Sequence, residues 1–319
     1  VWQVFYPTNL PILENRYQIQ ELIKSTYQQT DPQGGNRASK NSVIISHSMG
    51  GIISRMMLSD DNLANNLDAL EDKDLLENSS KRQVDEMLKQ AFANDELRNR
   101  FELHRLPQVD TAIFLSSPFQ GTDYADRWFT RALRRIVYLP VGLVKTLTDN
   151  LATLAIQGDL AQNPLGALYL QNGASQLSDK SSFIQLTKDI KINDDITYHS
   201  IIANNDADIT RGLAQMQPGG ARIDLSQEIL EDNSESARTN DGPKPASEST
   251  NKPLVAAVTV DEDISQALTE RLSDGIVPYT SAHLEGATSE TIITGGHSIQ
   301  ENPQTVLTLR RILHQQLQQ

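Results

Sequence analysis

Cysteine is absent from all 319 residues. That absence excludes disulfide cross-links, a thiol nucleophile and any cysteine-ligated metal, and it is compatible with every compartment. Positive charge is short as well: 28 Lys and Arg stand against 41 Asp and Glu, a net charge of -13 with a pI near 4.9. Such a surface repels phosphate backbones and anionic headgroups, which argues against nucleic acid and against electrostatic membrane docking. No apolar run approaches the roughly 20 residues that a spanning helix needs. Nor do His, Asp and Glu gather at metal-ligand spacing, so neither a metal nor a cofactor is expected. Hydrophobic residues make up 38% and mean hydropathy is -0.43. That is low for a compact domain of this length, so part of the chain must be solvated insertion.

What is present is organised around Val43-Ile44-Ile45-Ser46-His47-Ser48-Met49-Gly50-Gly51. Val43 to Ile45 form an apolar, β-branched run that reads as a short buried strand. Ile52, Ile53, Met56 and Met57 then recur at helical spacing. Strand, sharp turn and helix in so few residues match the nucleophile elbow G-x-S-x-G, with Ser46 in place of the first Gly. The two backbones nearly touch at such a turn, so the residues two positions either side of Ser48 must be small. The helix that follows presents its N-terminal N–H groups and positive dipole end to the turn, which suits a developing oxyanion. Without a partner elsewhere, the same residues also describe a Ser-rich turn with no chemistry.

The rest of the chain alternates strand and helix, predicting an α/β fold with a doubly wound, mostly parallel sheet. Val1-Trp2-Gln3-Val4-Phe5-Tyr6 reads as an opening strand, and Ile12 to about Tyr27 as a helix ended by Asp31-Pro32-Gln33-Gly34-Gly35. Residues 60–106 read as two or three charged, amphipathic helices inserted outside the sheet, either a cap or a solvated decoration. Val109 to Leu115 is the next strand, and Ser116-Ser117-Pro118-Phe119-Gln120-Gly121-Thr122 is the loop at its carboxyl end, where parallel sheets place ligands. Residues 124–175 interleave Trp128, Phe129, Leu133, Ile136 and Tyr138 with arginines, the pattern of a lid with an acyl pocket and equally of ordinary helix packing. Tyr198 to Ala203 is another strand. Within the long connection 205–265, residues 231–252 lack the apolar side chains needed to offset ordering and are expected to be mobile. A helix within 261–272, a last strand Thr291–Thr294 and a terminal helix capped by Asn302-Pro303 complete one domain with helical insertions.

A serine hydroxyl needs a positioned imidazole to take its proton, and that imidazole needs an acid to fix its tautomer. In this architecture the order is Ser, acid, His, each on a loop after a strand. The sequence offers Ser48, then Asp274 in Ser273-Asp274-Gly275-Ile276-Val277-Pro278, then His297 in Gly295-Gly296-His297-Ser298. Asp206 and Asp208, just after the preceding strand, are the competing acids. His47 flanks the nucleophile on the other side of its strand and, with Ser117, Phe119 and Trp128, is a candidate substrate contact. His104 and His314 read as surface helix residues, His199 as core and His283 as a wall residue.

Ser46-His47-Ser48-Met49-Gly50-Gly51 resembles the G-H-S-M-G-G elbow of α/β-hydrolase lipases and esterases. Phe114-Leu115-Ser116-Ser117-Pro118-Phe119-Gln120-Gly121-Thr122 resembles the ATPHRGS loop of bacterial lipase-like serine hydrolases related to GPI-inositol-deacylase-like lipases. The segments from Ser273 to Ala282 and from Gly296 to Ser298 are similar to that group's acid and histidine motifs. The resemblance runs from Val1 to the C-terminus, interrupted at 60–106 and 205–265. It implies an α/β-hydrolase fold, a triad of Ser48, Asp274 and His297, Met49 N–H as an oxyanion donor, and a small-molecule or lipid ester substrate, with peripheral lipid contact an open option. Two departures leave the triad untouched: Phe119 stands where the loop has His, and Ser46 stands for Gly. In that group an HG-type loop upstream supplies a second oxyanion donor, and its strand lies between the opening strand and the elbow strand. The expectation is therefore that this chain is an N-terminally incomplete version of a longer protein. Compartment, oligomeric state and the choice among esterase, thioesterase, acyltransferase, phospholipase and amidase stay open, as does a catalytically silent scaffold that binds a protein through its charged insertions.

Overall fold

The computed structural model describes residues 1–36, 39–70, 89, 92–123, 168–169, 171–207, 222–223 and 271–318. In chain order the described elements are helix α1 (Ile12–Thr30), strand β1 (Ser42–His47), α2 (Met49–Met57), the short strand β2 (Asp61–Asn62), α3 (Asp95–Phe101), β3 (Glu102–Leu103) and β4 (Val109–Leu115). There follow α4 (Ser182–Thr187), β5 (Thr197–Asn204), β6 (Arg222–Ile223), α5 (Tyr279–Ala282), β7 (Ser289–Thr294) and α6 (Pro303–Gln316). Short 3-10 turns cover Leu63–Leu70, Ser175–Leu177 and Ile299–Glu301.

Five strands form one sheet in the order β1-β4-β5-β7-β6, and every neighbouring pair is parallel. The reason lies in the composition of the central strands. Val-Asp-Thr-Ala-Ile-Phe-Leu of β4 is buried at six of seven positions, the pattern of a strand covered on both faces. Its side chains alternate. Ala112 and Phe114 face one layer with Ile12, Leu13, Ile52, Ile53 and Met56 of α1 and α2, whereas Ile113 and Leu115 face the other with Ile201, Ile293 and Ile312. Helices thus cover both faces of a parallel sheet, as expected of an α/β fold. β2 and β3 pair antiparallel in a separate ribbon.

Three expectations need correction. Val1 to Tyr6 is not a strand: it has no regular structure, and the side chains of Val1, Trp2 and Phe5 are exposed. Its anchor is instead lateral, with Trp2 packed on Tyr27 of α1 at 5.0 Å. β1 has no strand on the side away from β4 among the described residues, and the opening hexapeptide pairs with no strand despite its β-propensity. A cavity of about 800 Å³ runs along that edge between the hexapeptide, α1 and β1, with His47 and Gly50 at its end.

The second concerns the 60–106 insertion, expected as a cap or a solvated decoration, whose described part meets charged positions of α1. Glu14, Asn15, Arg16 and Gln20 are buried, not solvated. Glu14 pairs with Arg100 of α3 at 2.6 Å, and Arg16 reaches the backbone carbonyls of Asn99 and Arg100. This part of the 60–106 insertion is therefore packed onto α1, and Leu63, Leu67, Leu97 and Phe101 belong to the main core. Third, His104 follows β3 in a loop and does not lie on a helix. The 124–167 part of the expected lid, residues 231–252 and the expected 261–270 helix lie outside the described residues.

Candidate active site

The turn after β1 holds one of three non-glycine residues with positive φ among the described residues. Ser48 has φ 54° and ψ -128°, a conformation that costs a non-glycine residue on the order of 1–3 kcal/mol. Two bonds hold it there: Ser48 N–H donates to the Leu115 carbonyl at the end of β4 (3.0 Å), and Gly51 N–H donates to the Ser48 carbonyl (2.9 Å). Crowding is real but falls one residue later than the motif suggests. A Cβ on Gly50 would lie 3.3 Å from Tyr6 Oη and 3.7 Å from Ser46 Cβ, tight against the first and in ordinary contact with the second. One on Gly51 would lie 1.9 Å from Ser117 Oγ. Gly51 is therefore the position at which only glycine lets α2 sit against the loop after β4.

His297 follows β7 through Gly295 and Gly296. Its Nδ1 is 2.8 Å from Asp274 Oδ2, and its Nε2 is 2.9 Å from Ser48 Oγ. A carboxylate can only accept, so Nδ1 carries the proton and Nε2 of the neutral ring accepts from the Ser48 hydroxyl. Asp274 is 1% exposed in its side chain and His297 17%, so the acid is sealed while the ring keeps a face toward solvent. The second carboxylate oxygen, Oδ1, accepts from the Ile276 and Val277 N–H groups at 2.8 and 2.7 Å. Three partners thus fix one carboxylate whose burial alone would be costly. Of the competing acids, Asp206 is exposed beyond the end of β5, and Asp208 lies outside the described residues.

The other candidates land differently. His47, the last residue of β1, points its Nε2 at the His297 carbonyl, to which it donates at 2.7 Å; the two rings are 4.8 Å apart. Burial lowers the pKa of His47, opposed by that backbone bond. Its hydrogen bond is to the histidine loop, and it also lines the cavity beside β1. Ser117 and Phe119 are both buried: Ser117 lies under α2, and Phe119 packs edge-on against Phe114 at 5.2 Å with the Arg55 guanidinium 4.9 Å above its ring. Both side chains turn inward with the Ser-Ser-Pro-Phe loop and pack in the core. Met49 opens α2, which puts its amide at the helix N-terminus beside Ser48. Trp128 lies outside the described residues.

Thr122 and Ser281 went unnoticed in the sequence. The Thr122 hydroxyl donates to the Ile276 carbonyl, and Ser281 Oγ donates to the Gly121 carbonyl at 2.5 Å, so the loop after β4 is laced to the segment that carries Asp274. Hydroxyls in Ser/Thr-rich loops carry no spacing signal that would have singled them out. Among the described residues no group of three or more acidic or histidine side chains is arranged to hold a metal ion, and no helix is long and apolar enough to cross a membrane.

No family model matches the chain, and no curated protein does. Among solved structures, lipase BlEst2 of Bacillus licheniformis in its mature form is similar over 97% of this chain and 77% of that one, at 13% identity and a TM-score of 0.40. The same lipase in its propeptide form aligns over 92% and 38%, at 13% identity and a TM-score of 0.34. EstA from Clostridium botulinum aligns over 82% and 61%, at 11% identity and a TM-score of 0.32. The chain spans less than two thirds of the last two. These are distant likenesses.

Proposed function

We propose that the chain carries the active site of a serine hydrolase of α/β-hydrolase type that cleaves carboxylic esters. One observation carries the reading: a single imidazole bridges a serine hydroxyl at 2.9 Å and a buried carboxylate at 2.8 Å. Ser48 Oγ attacks the ester carbonyl while its proton passes to His297 Nε2. The carbonyl oxygen becomes an oxyanion, for which the Met49 N–H at the start of α2 is the donor. Collapse expels the alcohol, which takes the proton from Nε2 and leaves Ser48 acylated. Water then attacks with His297 again as base, the acid departs, and Ser48 regains its proton. Throughout, Asp274 holds the Nδ1 proton and stabilises the transient imidazolium. An uncharged acyl group is the substrate class that suits this chain best, because its anionic surface disfavours anionic substrates.

Two measurements test this. A fluorophosphonate probe should label Ser48, and Ser48→Ala should remove p-nitrophenyl ester hydrolysis by up to about 10⁶-fold. A chain that takes no label would be a silent scaffold, and turnover unchanged by Ser48→Ala would refute the assignment.

A further inference from the structure

Asp274 and His297 sit on separate loops, and a 2.8 Å contact between them requires that the loops share a reference. Asp274 Oδ1 is held by the amides of its own loop, which orients the carboxylate within that loop and says nothing about its distance from His297. The shared reference is the end of β5. In the sheet, β5 stands between β4 and β7, and its last residue, Asn204, is 1% exposed. Asn204 Oδ1 accepts from Ser273 N–H at 3.2 Å, next to the acid. Its backbone carbonyl accepts from Gly295 N–H at 2.9 Å, two residues before the histidine. Its Nδ2 donates to the Asp206 carbonyl at 2.6 Å, which fixes the amide plane. Asn205 N–H then donates to the Ser273 carbonyl at 2.8 Å. One dipeptide therefore bonds both loops.

The side chain of Asn205 leaves little slack. A Cβ on Gly275 would lie 2.6 Å from Asn205 Nδ2, and one on Gly296 would lie 3.4 Å from its Oδ1. Both loops carry glycine where they meet the end of β5.

We infer that Asn204 is a positioning residue of the catalytic site: its side chain sets the loop of Asp274 in register with the loop of His297. The inference rests on the proposed triad and deepens it. The chemistry asks for asparagine in particular. Within one short planar group it supplies an acceptor for Ser273 and a donor for Asp206; aspartate lacks the donor, and an aliphatic residue lacks both. Asn204 touches no reacting atom and acts through Asp274 alone. Thr122 secures the same loop farther along at Ile276, so removing the Asn204 amide should loosen the acid without releasing it.

The test is Asn204→Ala in the full chain, read per competent site. Fluorophosphonate titration counts the sites, and kcat, KM and the pH profile of kcat/KM are then measured on p-nitrophenyl butyrate. kcat per titrated site should fall by about 10- to 100-fold, the usual penalty of a displacement near 1 Å, with KM unchanged. The acidic limb should also move to lower pH, because an imidazolium with a weaker carboxylate partner is the stronger acid. A variant that merely loses stability would titrate fewer sites while keeping both kcat per site and the acidic limb, and that result overturns the inference. Should Asn204→Ala not fold, Asn204→Ser keeps a polar atom there without the reach, and the same two outcomes decide. A parent chain that takes up no fluorophosphonate overturns the hydrolase reading and this inference together, and is recognised before any variant is compared.

Discussion

Two histidine–carboxylate pairs lie in the last quarter of the chain, with nearly the same Nδ1···O distance. His297 meets Asp274 at 2.8 Å, and His283 meets Glu290 at 2.7 Å. Around them everything differs. Asp274 is sealed at 1% side-chain exposure, its other oxygen accepts two backbone N–H groups, and the far nitrogen of its histidine reaches a serine on a strained turn. His283 is 48% exposed, and Glu290 spends its other oxygen on the Tyr279 hydroxyl at 2.6 Å. Among the described residues nothing hydrogen-bonds to His283 Nε2. The second pair fastens α5 to β7; the first, on the proposed function, passes a proton. An imidazole beside a carboxylate is thus only half of an argument. What separates the two is the hydroxyl on the far side of the ring and the backbone donors that satisfy the buried carboxylate.

If that contrast is right, matched substitutions should give unlike results. Asp274→Asn should cut kcat by about 10⁴-fold while the fold persists, because an amide facing Nδ1 favours the wrong tautomer. Steady-state kinetics on a p-nitrophenyl ester reads this directly, and a loss below about tenfold would demote Asp274 to a turn residue. Glu290→Gln, the same change on the other pair, should leave kcat within about twofold and instead lower stability by about 1–3 kcal/mol, read by urea unfolding. A large kinetic loss there would merge the two sites into one.

Legibility in the sequence followed the same division. Ser48 directly follows β1, His297 follows β7, and Asp274 lies in the connection ahead of that last strand, an order that the sequence displays. Strand β4 and the Asn302-capped terminal helix were also readable, the one from a continuous apolar run and the other from a cap whose Oδ1 accepts the Gln304 N–H at 2.8 Å. What failed depended on neighbours that a linear reading cannot supply. The opening hexapeptide has strand propensity but pairs with no strand. Phe119 is a candidate ligand contact from the place of its loop at the end of the sheet, and what the sequence does not display is that its ring packs on Phe114 and Arg55 in the core. Glu14 and Arg100, 86 residues apart, are a buried pair that no spacing in the sequence marks. The Asn204 clamp has no motif at all, since two of its bonds run through the backbone and are blind to side-chain identity.

The smallest effect is the most diagnostic of what the second pair does. The bond to Glu290 raises the pKa of His283; burial opposes it, and the charges of Glu290 and Glu285 add to it. A histidine whose folded pKa is raised holds its proton more tightly in the native state. Its stabilisation is therefore fully present below the unfolded value of about 6.5 and disappears as pH rises through the folded value. His47 has the opposite sign. Its pKa is lowered by burial, so its neutral form favours the fold above about 6.5 and the native state loses ground as pH falls below it. His283→Gln should accordingly be less stable than the parent at about pH 5.5, with the gap closing by about pH 9. His47→Gln should narrow the acid-side loss that the parent shows. Urea midpoints at the two pH values distinguish these trends. A His283→Gln gap of the same size at both would mean that the contact with Glu290 works through its neutral hydrogen bond and that charge contributes nothing to fastening α5 onto β7.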